Sequence, residues 1–112
     1  MLFRSGHTAE AAAQFAEAVR LAPNDLATHF DLGMACLDLG QLADALKEFA
    51  AGVRLNPADA NLHYWFGVAA DRLHKNSDAI AHYREALRLN PEFPQARNAL
   101  ASLLANRPDE DL

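Results

Sequence analysis

An aromatic residue stands at 15, 49 and 83 and a proline at 23, 57 and 91, each set stepping by 34 positions along a chain of 112 residues. Around these markers the phrases FAEAVRLAP, FAAGVRLNP and YREALRLNP recur. The register extends to Ala11, Ala45 and Ala79, to Arg20, Arg54 and Arg88, and to Leu21, Leu55 and Leu89. Two further pairs share it, His29 with His63 and Gly33 with Gly67. A fixed period of this length constrains the fold more than composition does, because each copy must be one supersecondary unit that buries its apolar face against its neighbours.

The content of each copy predicts two helices. Over 42–55, Ala45, Phe49, Gly52 and Val53 recur at three- and four-residue steps while Lys47, Glu48 and Arg54 fall elsewhere, which marks a helix with one apolar face. An acid in the first turn (Glu10, Asp44, Asp78) and an arginine in the last (Arg20, Arg54, Arg88) suit the helix dipole, and the following proline stops the helix. Asp25 and Asp59 stand where an N-cap belongs, and Pro94 fits a first helical position. Helices are therefore expected at 8–22, 26–39, 42–55, 60–73, 76–89 and 94–106.

The pattern Leu32-Gly33, Ala45-x3-Phe49, Pro57, echoed by Phe66-Gly67, Ala79-x3-Tyr83, Pro91, resembles the tetratricopeptide repeat. The resemblance covers about residues 6 to 106. It implies an all-α fold of helix-turn-helix repeats stacked as an α-solenoid of about six helices. One domain is expected: a partial repeat over 1–25, full repeats over 26–59 and 60–93, a terminal helix over 94–106, and an acidic tail over 107–112. The sequence departs from the family where a bulky aromatic is usual at His29 and His63, and where a tyrosine is usual at Cys36 and Ala70. Tyr64 and Trp65 restore some of that volume.

Composition narrows the function. The net charge of −5 owes much to Asp109, Glu110 and Asp111, and no basic patch of the kind that holds nucleic acid is present. One cysteine, Cys36, closes no intramolecular disulfide and completes no zinc spacing; on the face of Leu32 and Leu39 it is expected to be a buried structural thiol. No apolar run approaches a membrane span and no secretory leader opens the chain, so no membrane insertion is expected. The compartment stays open, with the cytoplasm preferred to the periplasm. His29 and His63 sit one repeat apart and are expected to pack rather than bind metal, while Asp78 and His82, four residues apart, suit a surface pair. Motifs of nucleophilic, nucleotide or metal catalysis do not occur, so neither an enzyme nor a cofactor is expected.

The first helices of the two full repeats carry more apolar surface than pairing requires. On 26–39, Leu32, Cys36 and Leu39 form one stripe and Ala27, Phe30, Met34 and Leu37 another. On 60–73, Phe66, Ala69 and Leu73 form the packing side, with Tyr64, Val68, Asp71 and Arg72 elsewhere. The family resemblance implies that first helices line a concave peptide groove. Its candidate residues here are Phe30, Met34, Leu37 and Asp38 with Ala27, then Asn61, Tyr64, Val68, Asp71 and Arg72, then Gln95 and Asn98 with Ser102. The alternative is that Phe30, Met34 and Leu37 pack between repeats. A subfamily that grips C-terminal carboxylates uses basic and amide residues where this chain has Phe30, Met34, Trp65, Gln95 and Ala99. That clamp is not expected, and an apolar or mixed peptide suits this face better than an acidic tail.

The ends read as cut from a longer array. Ala11, Phe15 and Ala18 at one end, and Leu100, Leu103 and Leu104 at the other, make poor polar caps, and weak self-association through these terminal helices is expected. Leu2-Phe3-Arg4-Ser5 is also what a common sequencing-adapter tail encodes, so Met1 to Ser5 need not be native. The expected function is a non-catalytic scaffold for a protein or peptide partner. The alternatives are an accessory segment of a larger bacterial enzyme such as a glycosyltransferase, and a structural spacer or self-association element.

Overall fold

The computed structural model describes residues 2–106, with side chains from Gly6 to Asn106; the acidic run at 107–112 and the side chains of Met1 to Ser5 lie outside the described residues. Among the described residues there are six α-helices and no strand: α1 Leu2–Leu21, α2 Leu26–Asp38, α3 Leu42–Leu55, α4 Ala60–Arg72, α5 Asn76–Leu89 and α6 Pro94–Asn106. The chain forms two compact units, Met1–Pro57 with α1 to α3 and Ala58–Leu112 with α4 to α6.

Local chemistry sets most helix boundaries. The Asp25 carboxylate accepts from the Ala27 amide at 3.1 Å, and that of Asp59 accepts from Asn61 and Leu62 at 3.0 and 3.3 Å, so two helices start on the side-chain caps expected of them. α2 ends in a left-handed turn at Gly40, φ 76°, with Gly40 N–H donating to Leu37 and Gln41 N–H to Cys36. α4 ends the same way at His74, φ 61°, with His74 donating to Asp71 and Lys75 to Ala70. These paired bonds satisfy carbonyls that the helix end would leave open.

α1 departs from expectation. It runs from Leu2 without the start expected at residue 8, and Gly6, in the register of Gly40 and His74, makes no turn. The alanine-rich sequence continues as helix through this position. Glu10 consequently lies mid-helix and does not serve the dipole as Asp44 and Asp78 do.

Within each unit the period becomes packing. In Met1–Pro57, α2 packs on α1 and on α3, and a Cβ placed on Gly33 would come within 2.6 Å of the Phe49 ring. In Ala58–Leu112, α4 packs on α5, and a Cβ on Gly67 would come within 2.6 Å of the Tyr83 ring. The glycines let the two helices of a pair close onto one aromatic. Ala45 and Phe49 are fully buried, as are Ala79 and Ala86 around Tyr83. α6 joins α5 through Phe93, Ala96 and Ala86, with Tyr64 of α4 packed against that cluster.

Candidate functional site

The candidate groove residues divide by unit and by burial. On α2, Phe30 and Met34 are half-buried and Asp38 is exposed, whereas Leu37 is only 5% exposed. Leu37 thus packs and offers no surface to a ligand. Phe30 also leans on Phe49, ring centroids 6.1 Å apart. An open hollow of about 620 Å³ lies between α1 and α2, bordered by His7, Thr8, Ala11 and Phe15 on one side and Asp31, Met34, Ala35 and Asp38 on the other. Met34 and Asp38 were marked by the sequence as groove candidates. Their neighbours His7, Thr8 and Asp31 were not, because they fall outside the repeated positions.

On α4, Asn61 and Arg72 are exposed, and Tyr64, Val68 and Asp71 are half-buried. Tyr64 carries more packing than its place off the pairing stripe suggested: its ring lies 5.0 Å from Trp65, 5.2 Å from Phe93 and 6.0 Å from Tyr83. Burial, then the Asp71 carboxylate, pushes the Tyr83 phenol above its ordinary range. Gln95 and Asn98 on α6 are exposed. The first-helix faces therefore present half-exposed apolar side chains edged by Asp38 on α2 and by Asn61 and Arg72 on α4.

Titratable groups behind these faces differ between the units. In the first, His29 is buried with Glu48: Nδ1 lies 2.8 Å from the carboxylate, and Nε2 lies 2.6 Å from the Pro23 carbonyl. Two acceptors call for two protons shared by ring and carboxyl, either on an imidazolium beside a carboxylate or on a neutral ring beside a carboxylic acid. Two helix turns along α2, burial first and then the Asp44 and Glu48 carboxylates push the Cys36 thiol up, which keeps it unreactive. In the second unit the register of Glu48 holds His82. Its Nδ1 meets that of buried His63 at 2.9 Å, the rings stack at 5.1 Å, and Phe66 closes over His82 at 4.0 Å. The surface pair expected of Asp78 and His82 gives way to this stack. Among the described residues no three metal-ligating side chains gather.

Burial, then the neighbouring His63, hold His82 below its ordinary 6.5, with Asp78 and Glu85 opposing. The unfolded chain therefore binds the extra proton, so stability is lost as pH falls below about 6.5. His82→Gln removes that titration, and melting temperatures at pH 5 and pH 7 are expected to differ less for this variant than for the parent. An equal gap would show that His82 does not govern the acid limb.

No helix among the described residues is long and apolar enough to cross a membrane. The family model described as Tetratricopeptide repeat matches residues 2–60, 30–92 and 64–112. Among curated proteins no match was found. Solved structures similar to the chain include the first TPR of Spaghetti (RPAP3) bound to the HSP90 peptide SRMEEVD, 22% identical with TM-score 0.88, covering 96% of this chain and 85% of that one. MamA 41-end from Desulfovibrio magneticus RS-1 is 26% identical with TM-score 0.87, covering 98% of this chain and 62% of its own. YrrB, a TPR protein with an unusual peptide-binding site, is 28% identical with TM-score 0.79, covering 88% of this chain and 50% of its own. The chain thus spans under two thirds of the MamA and YrrB chains, and its all-α helix-turn-helix fold is that of the repeat solenoids it matches.

Proposed function

This chain belongs to the tetratricopeptide repeat family, and from that premise we propose that it is a non-catalytic scaffold holding a peptide or partner segment on the faces of its first helices. The observation that carries the reading is the matched register of half-exposed apolar side chains, Phe30 and Met34 on α2 answered by Tyr64 and Val68 on α4. Pairing within a repeat is centred on Gly33 against Phe49 and Gly67 against Tyr83; Phe30 and Tyr64 lean on those aromatics yet remain half-exposed. Aromatics and methionine give contact area at adaptable binding surfaces. Peptide binding by the similar YrrB supports the same use.

The partner chemistry follows from the edges of the faces. Asp38 is acidic, Asn61, Gln95 and Asn98 are neutral, and Arg72 is the basic member of the candidate set. A carboxylate-rich tail would meet little positive charge, so a peptide with apolar anchors and mixed polar flanks fits. Peptides selected from a random phage-displayed library on the full chain are expected to show that character. Phe30→Ala and Val68→Ala should each weaken the best of them by about 1 kcal/mol or more, as loss of buried anchors does. Wild-type affinity in both folded variants would overturn the reading. Tyr64→Ala is a poorer probe, because its contacts with Phe93 and Tyr83 tie its loss to stability.

A further inference from the structure

Three helices carry the same arginine in their last turn, one period apart: Arg20 in α1, Arg54 in α3 and Arg88 in α5. In α1 and α5 the residue three positions earlier is a glutamate that holds the guanidinium in a fork. Arg20 Nε donates to Glu17 at 3.0 Å and Arg88 Nε to Glu85 at 2.9 Å, while an outer nitrogen of each donates to the second carboxylate oxygen. α3 breaks the pattern. Ala51 stands in the register of Glu17 and Glu85, and among the described residues the Arg54 side chain makes no ion pair or hydrogen bond. The place of the missing carboxylate is open: Ala51, Arg54 and Leu55 border a hollow of about 350 Å³ with His29 of α2 and with Pro23 and Asn24 of the turn before it. Its walls come from residues 23 to 55, away from both ends of the sequence.

We propose that this hollow binds the carboxylate of a partner polypeptide, a glutamate side chain flanked by apolar residues. It completes from outside the fork that Glu17 and Glu85 complete within their own helices. The chain's nearby carboxylates are engaged elsewhere: Asp25 caps α2 through the Ala27 amide, and Glu48 meets His29. His29 has both ring nitrogens occupied, so the donors facing a ligand are the Arg54 guanidinium and the Asn24 amide. The C-terminal dipole of α3 and the net charge of −5, to which the acidic run at 107–112 contributes, both oppose an anion. The same dipole is present where Glu17 and Glu85 sit, and exposed charges are screened beyond about 10 Å at ordinary salt. Contact therefore decides. An exposed guanidinium alone holds a small anion weakly, and the added grip comes from apolar contact with Pro23, Ala51 and Leu55, which is 39% exposed. These side chains are distinct from Phe30 and Val68, so the site stands or falls independently of the groove reading.

Titration of the full chain with the capped tripeptide acetyl-Leu-Glu-Leu-amide, followed by NMR at the Arg54 Nε–H signal, is expected to show weak, saturable binding. The glutamine counterpart of the peptide and the Arg54→Gln variant should each weaken it roughly tenfold or more, the loss of a forked, charge-assisted contact. Ala51→Glu, which returns the carboxylate to its own helix, should abolish binding while the protein stays folded. Arg88→Gln is the control and should leave binding unchanged. No saturable shift at Arg54, equal binding of the glutamine peptide, or undiminished binding by Arg54→Gln or by folded Ala51→Glu would each overturn the proposal. Inorganic phosphate binding as tightly as the peptide would also overturn it, since the apolar walls would then contribute nothing.

Discussion

Gly67→Leu is expected to destabilise the chain by about 3 kcal/mol or more, at the upper end of what overpacking costs. An added Cβ would stand 2.6 Å from Cε1 and 2.7 Å from Cδ1 of Tyr83, inside van der Waals contact, and leucine adds three further carbons behind it. The ring has nowhere to retreat: Tyr83 is 1% exposed. Either the ring or the helix pair must give. At the scale of a domain this size the melting temperature should fall by roughly 10 °C or more. Gly6→Ala is the control, since nothing lies within 4 Å of its Cβ and a helical alanine gains up to about 1 kcal/mol over glycine. Unchanged melting of Gly67→Leu would mean that Tyr83 does not pack against α4 at that point.

Glu48→Ala is expected to cost about 3 kcal/mol, the lower end of the range for breaking a buried pair from one side. The carboxylate lies 2.8 Å from His29 Nδ1 with both residues buried, so removing it takes away the ring nitrogen's partner. Glu48→Gln keeps a hydrogen-bonding group of the same length and should cost distinctly less. Urea denaturation of the two variants separates the outcomes. Equal losses would assign the effect to packing volume, and no loss in either would mean that His29 finds another partner.

Most of the fold was legible because it is written locally and repeatedly. Prolines 23, 57 and 91 and the caps Asp25 and Asp59 place boundaries within a residue or so for five helices. The start of α1 escaped because Gly6 shares its register with Gly40 yet makes no turn, so a glycine at that register does not by itself end a helix. The site was legible only as a set of positions. Helical period told which side chains share a face but not what covers that face, so Leu37 looked available and is buried. The packing of Tyr64 was hidden for a related reason: Phe93, which lies against it, sits ahead of α6 and belongs to no helix's periodicity. His82 likewise needed three dimensions, since its stacking partner His63 is 19 residues away on another helix.

Helix packing that runs between sequence neighbours also shapes how the chain acquires its structure. In Met1–Pro57 the helix contacts join α1 to α2 and α2 to α3, and in Ala58–Leu112 they join α4 to α5 and α5 to α6 with a smaller α4–α6 contact. Loops of three or four residues separate most of these helices, so little chain entropy is spent in closing each contact before it rewards the closure. Contact order of this kind belongs to chains that fold in microseconds to milliseconds. During synthesis, the helices through α3 can pair as soon as residue 57 clears the ribosome, while the rest of the chain is still being made. The interval in which Phe49 and its alanines stand open to aggregation is correspondingly short.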